Sequence, residues 1–265
     1  MKRLVFLKLG GSLITDKNVA HLAKIELIRR LAGEIQAVVQ ADPELHLLIG
    51  HGSGSFGHVP ASRYHTREGV HSAGEWKGFA EVWYAARALN QVVTEQCVAA
   101  GLPVISLPPS ASVTASDGKV HQWDITPIRG ALEHGLIPII QGDVVFDIAR
   151  GGTIFSTEEL FVHLAGFLHP VLILIAGSEP GVWADFPGKT RLLAHITPSG
   201  YADIAKMVFP SGAVDVTGGM AAKVAAMVSL VSAQPELRVM IFNPSAPGVL
   251  ASAISGETTG TEIHI

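Results

Sequence analysis

Two glycine-rich stretches carry the clearest chemical signal in this sequence. KLGGS covers residues 8–12 and GHGSGSFGH covers residues 50–58, and each follows an apolar run of strand length. Glycine lets backbone N–H groups approach an anion closely, and successive N–H groups form an anion-binding nest. For either stretch alone a tight turn is an equally good interpretation, because glycine is common in βα connections. Two such stretches at one edge of a sheet favour a phosphate site.

Three lysines stand close to glycine-rich stretches. Lys8 interrupts the apolar run LVFLKLGG, where an unpaired ammonium group is costly to bury, so we expect an anion beside it. The alternative is a buried stem whose charged end reaches solvent. Lys17, in LITDKN, is by itself typical of a solvated loop. Lys223 ends DVTGGMAAK, at the start of a helical pattern, where backbone N–H groups and a lysine are well placed for phosphate; the alternative is a capped surface helix.

Strand-like and helix-like segments alternate along the chain. Continuous apolar strands separated by helices favour a parallel sheet covered on both faces, and therefore an α/β fold with three αβα layers. Ligands of such sheets bind beyond the carboxyl ends of the strands, where both glycine-rich stretches fall. The predicted strands are at residues 4–7, 45–49, 102–107, 136–141, 171–176 and 237–242. The predicted helices are at residues 22–38, 75–100, 157–167 and 218–233.

Composition excludes several classes of function. The 265 residues include 19 Lys and Arg against 23 Asp and Glu, so no long-range positive field is present to hold nucleic acid or anionic lipid. One cysteine, Cys97, excludes an intrachain disulfide and a CxxC metal site, and a cytoplasmic location is expected. The apolar stretch at residues 170–177 is too short to span a bilayer.

Common nucleotide and metal motifs are weak or missing in this sequence. GSGSFG, at residues 52–57, fits the GxGxxG spacing after a strand, but a single match is a weak signal. No stretch has the GxxxxGK[ST] spacing. The histidines show neither HxxxH nor HExxH spacing, so no protein-held metal site is predicted.

Four motifs in order carry a resemblance to a known family. LKLGGSLITDK, HGSGSFGH, QGDVVFD and DVTGGMAAK resemble the amino acid kinase superfamily, and most closely its isopentenyl phosphate kinase branch. The resemblance covers essentially the whole chain, including the closing TGTEI. The sharpest marker is SFGH, since a histidine after the second glycine-rich stretch separates this branch from the amino acid, carbamate and uridylate kinases. The resemblance implies one amino acid kinase domain over residues 1–265, with an acceptor-binding half (1–170) and a nucleotide-binding half (171–265), assembled as a homodimer.

The resemblance also implies a reaction, the ATP-dependent phosphorylation of isopentenyl phosphate to isopentenyl diphosphate with Mg²⁺. Phosphoryl transfer of this kind depends on alignment and charge stabilisation and needs no nucleophilic side chain. Carried over by position, the catalytic residues would be Lys8, Lys17, His58, Glu158 and Lys223. The nucleotide would be bound by Lys8, Gly10, Gly11, Ser12, Gly54, Gly219 and Lys223. The acceptor would be bound by Ser53, His58, Phe79 and Thr157.

Individual roles follow from the same resemblance. Lys8 would neutralise the transferring phosphoryl group, and Lys17 would join it as charge develops. Lys223 would bind the nucleotide phosphates. His58 would hold the acceptor phosphate. Phe79 would form part of an apolar wall for the isoprenoid chain, although an aromatic residue at helical spacing is equally typical of a plain core.

Two segments depart from the family pattern. FSTEEL (155–160) stands where the family has SGD before a helix, which places Glu158 in the position of an aspartate that organises the catalytic lysines and Thr157 in place of a glycine. AGSEPGVW (176–183) lacks the two aspartates of the family's nucleotide-proximal segment, although Glu179 and Asp185 are nearby acids.

Two other functions remain compatible with the sequence. One is a kinase for another small phosphate or phosphonate, as in the related fosfomycin kinases, which share the glycine-rich stretches and the histidine. The other is a nucleotide-binding sensor without catalytic activity, which the two altered segments would permit. The presence of all four of the residues Lys8, Lys17, His58 and Lys223 argues against a sensor.

Overall fold

A computed structural model describes residues 3–208 and 219–265 of the chain. Within them, strands and helices alternate as the sequence predicts. The strands are β1 (Arg3–Leu9), β2 (Leu45–His51), β3 (Val104–Ser106), β4 (Val113–Ser116), β5 (Lys119–Trp123), β6 (Ile137–Gln141), β7 (Asp143–Asp147), β8 (Gly151–Phe155), β9 (Leu172–Ala176), β10 (Val182–Trp183), β11 (Leu192–Leu193), β12 (His195–Ile196), β13 (Arg238–Phe242) and β14 (Thr261–Ile263). The α-helices are α1 (Gly11–Ile14), α2 (Ile25–Ala41), α3 (Gly54–Tyr64), α4 (Ala73–Ala99), α5 (Thr126–Glu133), α6 (Thr157–Leu168), α7 (Pro198–Val208), α8 (Gly219–Ala233) and α9 (Val249–Ile254).

An eight-stranded sheet forms the middle layer, in the order β12-β14-β13-β9-β1-β2-β6-β3. Its pairs are parallel except β13 with β14. Alternate residues of the apolar strands face opposite layers: Leu7 of β1 packs with α2, α4 and α9, while Phe6 packs with α5, α6 and α8. The predicted α/β class, three layers and mainly parallel sheet are therefore confirmed.

Strand β1 lies at the centre of this sheet, between β2 and β9. On the β2 side all strands come from the first 170 residues, and on the β9 side, beyond β1 itself, all come from later residues. The carboxyl ends of β1, β2 and β9 consequently meet at one edge of the sheet, which places both glycine-rich stretches side by side. The division of the chain into acceptor-binding and nucleotide-binding halves stays a prediction.

A second sheet, in the order β5-β4-β7-β8, was not predicted from the sequence. It packs against α4 through a small apolar cluster that contains Phe79 and Val144. One carboxylate shapes two of its turns, because Asp147 accepts hydrogen bonds from four backbone N–H groups at distances of 2.7–3.0 Å. These strands escape detection because they are only four or five residues long, and the edge strand β5 is mostly exposed.

Two long helices begin where the sequence provides a capping box. Ser72 accepts from the N–H of Glu75 at the start of α4, and Ser156 accepts from the N–H of Glu159 at the start of α6. Each glutamate also accepts from the N–H of its serine, so two unpaired donors are satisfied at each helix end. The predicted helices at 75–100, 157–167 and 218–233 are confirmed to within two residues. The helix predicted from residue 22 begins three residues later, because Leu22 and Ala23 are instead paired with Asp16 and Thr15 in an antiparallel bridge.

Candidate active site

The two glycine-rich stretches pack directly against each other at the carboxyl ends of β1 and β2. A Cβ on Gly11 would lie 2.6 Å from Cα of Gly54, and a Cβ on Gly52 would lie 2.9 Å from the backbone nitrogen of Gly11. Gly54 also has a φ of 49°, which favours glycine. Gly11, Gly52 and Gly54 are therefore needed because the two loops pack so closely. This need is separate from any binding of an anion by the loop backbone.

Replacement of Gly11 by alanine tests this packing. We expect Gly11→Ala to lower the free energy of unfolding by about 1–3 kcal/mol, because the backbone of Gly54 must shift to admit the methyl group, and to lower activity by displacing both loops. Gly33→Ala is the matched control, since Gly33 lies in α2 with no atom within 4 Å of a new Cβ, and it should be neutral or stabilising. Thermal unfolding and steady-state kinetics measure both effects. Wild-type behaviour of Gly11→Ala would contradict the packing argument.

Lys8 lies beneath these loops at the carboxyl end of β1. Only 7% of its surface is exposed, and its Cε lies 4.0 Å from the position of a Cβ on Gly52. Its ammonium group forms an ion pair with the carboxylate of Glu158. The anion that the sequence predicts beside Lys8 is thus supplied by the protein itself.

Lys223 contacts the other oxygen of the same carboxylate. Its Nζ lies 3.4 Å from Oε1 of Glu158, and its side chain is 28% exposed. We call these three residues, Lys8, Glu158 and Lys223, the charge triad. With all three ionised, the triad carries one excess positive charge at the edge of the sheet, and a bound anion would balance that charge.

The electrostatics of the triad keep its carboxylate ionised. Burial disfavours the charged form of Glu158, but the charges of Lys8 and Lys223 outweigh it and lower the pKa of Glu158 to about 2. Burial lowers the pKa of Lys8, and the charge of Lys223 adds to this effect, while Glu158 opposes it. Glu158 is therefore a fixed negative charge that orients two ammonium groups at neutral pH.

The start of α6 positions Glu158. The capping box of Ser156 fixes the first turn of the helix, in which Glu158 lies. Thr157 anchors that turn to β2, because its hydroxyl donates to the carbonyl of His51 at 2.7 Å. Acceptor binding by Thr157 stays a prediction. Its buried hydroxyl bonds to His51, and this contact helps to position the neighbouring Glu158.

The segment that follows β9 lies beside the first glycine-rich stretch. The backbone N–H of Gly10 donates to the carbonyl of Ala176 at 2.8 Å. The hydroxyls of Ser12 and Ser178 lie 3.4 Å apart. Glu179, one of the two acids noted in this altered segment, accepts hydrogen bonds from the indole of Trp183 at 2.8 Å and from the ammonium group of Lys189 at 2.7 Å.

A family model described as the amino acid kinase family matches residues 3–243. The chain belongs to the amino acid kinase family. It is 31% identical over 266 residues to isopentenyl phosphate kinase of Methanocaldococcus jannaschii and 33% identical over 271 residues to that of Methanothermobacter thermautotrophicus, with 98% of each chain covered in both cases. A solved structure of isopentenyl phosphate kinase superimposes with a TM-score of 0.82 at 30% identity, covering 98% of this chain and 100% of that chain. The resemblance found in the sequence is thereby confirmed.

Two further family-derived residues, Lys17 and Gly219, lie on separate elements of the fold. Lys17 is exposed in the loop between α1 and α2, and its charge contributes to the lowered pKa of Glu179, after the hydrogen bonds from Lys189 and Trp183. Gly219 begins α8 with a φ of 51°. Residues 215–218 of the DVTGG motif lie outside the described residues. Nucleotide binding by these elements of the amino acid kinase fold stays a prediction.

The predicted acceptor residues lie on α3 and α4. Ser53 is the N-cap residue of α3, and its side chain covers Gly57, where a Cβ would lie 2.6 Å from Cβ of Ser53. His58 is the fifth residue of α3 and is exposed, so it lies one turn into a helix rather than at the end of a loop. Phe79 packs against Trp76 and Phe146, with ring centroids 5.3 and 5.2 Å apart.

The described part of the chain holds no group of three or more His, Cys, Asp or Glu side chains that could bind a metal ion. Within the same residues, no helix combines the length and the apolar character needed to cross a bilayer.

Proposed function

We propose that this protein transfers the terminal phosphoryl group of ATP to isopentenyl phosphate and forms isopentenyl diphosphate. The observation that carries the proposal is the charge triad, in which the buried pair of Lys8 and Glu158 lies beneath two packed glycine-rich loops and contacts Lys223. The comparisons support it, because relatives named isopentenyl phosphate kinase match 98% of the chain. The glycine-rich stretch that opens at the end of β2 then serves a phosphorylated acceptor, and the stretch after β1 serves the nucleotide.

The reaction needs alignment and charge rather than a covalent intermediate on the protein. An oxygen of the acceptor phosphate attacks the terminal phosphorus of ATP, the new P–O bond forms, and the bond to the bridging oxygen breaks with its electron pair leaving on ADP. Negative charge on the transferring group is stabilised by the ammonium groups of Lys8 and Lys223, which Glu158 holds in place. Lys17, which is exposed in a loop, adds a third positive charge.

Mg²⁺ fits this site as a companion of the nucleotide. Mg²⁺ usually keeps several waters and binds through substrate phosphates and one or two carboxylates rather than in an all-protein cage. The donors among the described residues agree with that mode, since they form no three-ligand cluster and the carboxylate of Glu158 is already paired with two lysines. The bound ion would supply further positive charge to the ATP phosphates.

We assign acceptor recognition to the amino-terminal part of α3. The Ser53 backbone N–H has no acceptor among the residues that the structure describes, and it lies at the start of a helix, where the dipole favours an anion. His58 is exposed one turn along the same helix. An imidazole donor one turn from this N–H group suits a phosphate monoester. The aromatic cluster of Trp76, Phe79 and Phe146 provides an apolar surface for the isoprenoid chain.

Substitution of His58 separates acceptor handling from nucleotide binding. We expect His58→Ala to lower kcat/KM for isopentenyl phosphate by roughly tenfold to a hundredfold, whereas His58→Gln, which keeps a neutral donor of similar reach, should lose less. The affinity for ATP should change little in both variants, because the proposal assigns His58 to the acceptor phosphate and not to the nucleotide. Steady-state kinetics with each substrate varied, together with calorimetric ATP titration, measure the two effects. Lost ATP affinity with intact acceptor kinetics would refute the assignment.

A panel of acceptors tests the proposed function. ADP release is measured with isopentenyl phosphate, dimethylallyl phosphate, fosfomycin, uridine monophosphate and an amino acid. We expect the highest kcat/KM with isopentenyl phosphate. Preference for fosfomycin would assign the protein to the phosphonate kinases instead, and turnover of none would favour a nucleotide-binding sensor.

Assembly as a homodimer and a cytoplasmic location complete the proposal, and both rest on the family resemblance. Light scattering coupled to size-exclusion chromatography measures the assembly, and a monomer at micromolar concentration would refute that part.

A further inference from the structure

A buried histidine lies at the start of the second glycine-rich stretch (residues 50–58), which we call the acceptor loop, and it is not part of the charge triad. His51 is the last residue of β2, and its side chain is fully buried. Burial, reinforced by the charge of Lys8, lowers the pKa of His51 to about 4, although the hydrogen bond to Gly52 opposes this shift. The ring is therefore neutral at physiological pH, and each of its nitrogens has a fixed role.

The partners of the ring determine which nitrogen carries the proton. The hydroxyl of Ser106 donates to Oδ1 of Asn90 at 2.7 Å, so the amide nitrogen of Asn90 faces Nε2 of His51, 3.0 Å away, as a donor. Nε2 must then accept, and Nδ1 carries the hydrogen. Nδ1 lies 3.1 Å from the carbonyl oxygen of Gly52 and donates to it. A chain of hydrogen bonds thus runs from β3 through α4 to the glycine-rich loop.

The hydrogen bond from the His51 ring to the carbonyl of Gly52 fixes the orientation of the whole Gly52–Ser53 peptide group. A trans peptide group is planar, so the carbonyl of Gly52 and the N–H of Ser53 point in opposite directions. When the imidazole holds that carbonyl, the Ser53 N–H is held pointing away from the ring. Among the described residues that N–H has no acceptor. The next peptide groups begin α3, the helix on which His58 lies.

The backbone carbonyl of His51 is hydrogen-bonded to the start of α6. The carbonyl of His51 accepts from the hydroxyl of Thr157 at 2.7 Å and from the backbone N–H of Gly142 at 2.9 Å. Glu158, which orients the two triad lysines, follows Thr157 directly. His51 therefore contacts the acceptor loop with its ring and the start of α6 with its carbonyl.

We propose that His51 is a positioning residue for acceptor phosphorylation: its Nδ1–H fixes the Gly52–Ser53 peptide group and so aims the Ser53 N–H at the acceptor phosphate. This role deepens the proposed function and rests on it. In this role His51 does not contact the substrate itself. It orients the Ser53 N–H, which does. A buried side chain that only filled space would not need a particular tautomer.

Two amide substitutions separate the two ring contacts. In asparagine the amide group occupies the place of Nδ1, so His51→Asn keeps a donor for Gly52 and loses the contact with Asn90. In glutamine the amide reaches the place of Nε2, so His51→Gln keeps an acceptor for Asn90 and loses the contact with Gly52. We expect His51→Gln to lower kcat/KM for the acceptor by roughly tenfold to a hundredfold, as for other small displacements of a reacting group, and His51→Asn to lose only a few-fold.

ATP affinity should be unchanged in both variants, and the matched control is Leu47→Ala. Leu47 is buried on the same strand and packs in the same apolar cluster as Ile49, so its truncation lowers stability without altering any polar contact of the loop. We expect unchanged acceptor kinetics for this control at a temperature where it is folded. Equal activity of the Asn and Gln variants, or higher activity of Gln, would overturn the proposal.

A spectroscopic measurement tests the same contact without relying on turnover. In nitrogen-15 NMR spectra of the wild-type protein at pH 6–8, the His51 ring should show protonated Nδ1 and unprotonated Nε2. The opposite tautomer, or an imidazolium, would overturn the positioning role even in an active enzyme. Failure of the wild-type protein to phosphorylate isopentenyl phosphate, with the expected tautomer present, would instead refute the proposed function.

Discussion

Replacement of Lys8 by methionine is expected to reduce kcat by about 10²–10³-fold, because a buried charge aimed at a developing phosphoryl anion is typically worth about 3–4 kcal/mol. Methionine keeps most of the volume of the stem, so the loss reports the ammonium group rather than a cavity. The KM for isopentenyl phosphate should change less than kcat, since the charge on the transferring group develops in the transition state. Pre-steady-state measurement of ADP formation gives the chemical step directly.

Two further variants keep this test decisive. Lys8→Met leaves Glu158 with Lys223 as its remaining partner, and breaking a buried ion pair costs about 3–5 kcal/mol of stability, so circular dichroism must establish that the variant is folded. Lys8→Arg keeps the charge and should fold, yet its planar group cannot reproduce the position of the ammonium, and kcat should still fall. Lys119→Met, on the exposed side of β5, is the control and should be as active as the parent. A folded Lys8 variant with parental kcat would exclude Lys8 from the site.

Glu158→Gln is expected to impair both folding and catalysis. Glutamine retains the shape of the side chain but removes the charge that holds two lysines, so kcat should fall by roughly tenfold to a hundredfold through misplaced ammonium groups. Glu159→Gln is a close control: glutamine also forms the capping box, and Glu159 otherwise pairs with the half-exposed Arg67. Equal rates for parent and Glu158→Gln would place Glu158 outside the active site.

The stability of the parent relative to Glu158→Gln should also depend on pH. The pKa of Glu158 is depressed in the folded protein to about 2, so its ionised form stabilises the fold fully above its ordinary pKa of 4.5. This contribution is lost progressively as the pH falls from about 4.5 toward 2. Urea unfolding between pH 6 and pH 3 should show the difference between parent and variant shrinking on the acid side. A difference that is constant over this range would contradict the buried ion pair.

Some of this organisation is readable from the sequence for simple physical reasons. Long apolar runs give the parallel sheet, because buried strands need apolar residues on both faces. Lys8 is identifiable because an ammonium group inside such a run requires an anion. Glu158 could be placed beside it only through the family resemblance, since 150 residues separate the two.

Other features depend on contacts that no local pattern encodes. Gly11 packs against Gly54, and the two residues lie in loops that follow different strands. The sequence alone does not distinguish a glycine required by such tertiary packing from one required for phosphate binding. The second sheet is partly exposed and lacks a strong apolar signal. The role of His51 is not evident from its own position in the sequence. The one signal lies elsewhere, because Asn90 is a polar residue on the buried face of α4, next to Leu89, and a buried amide needs a partner.

The identity of the product tests the central claim most directly. Purified protein is incubated with ATP, Mg²⁺ and isopentenyl phosphate, and phosphorus-31 NMR follows the acceptor, with Lys8→Met as the blank. The account predicts that the monophosphate resonance is replaced by the two coupled resonances of a diphosphate, in a one-to-one ratio with ADP, and that this change is slower by orders of magnitude in the blank. Release of inorganic phosphate with the monophosphate resonance unchanged would show ATP hydrolysis without transfer, and would contradict the account.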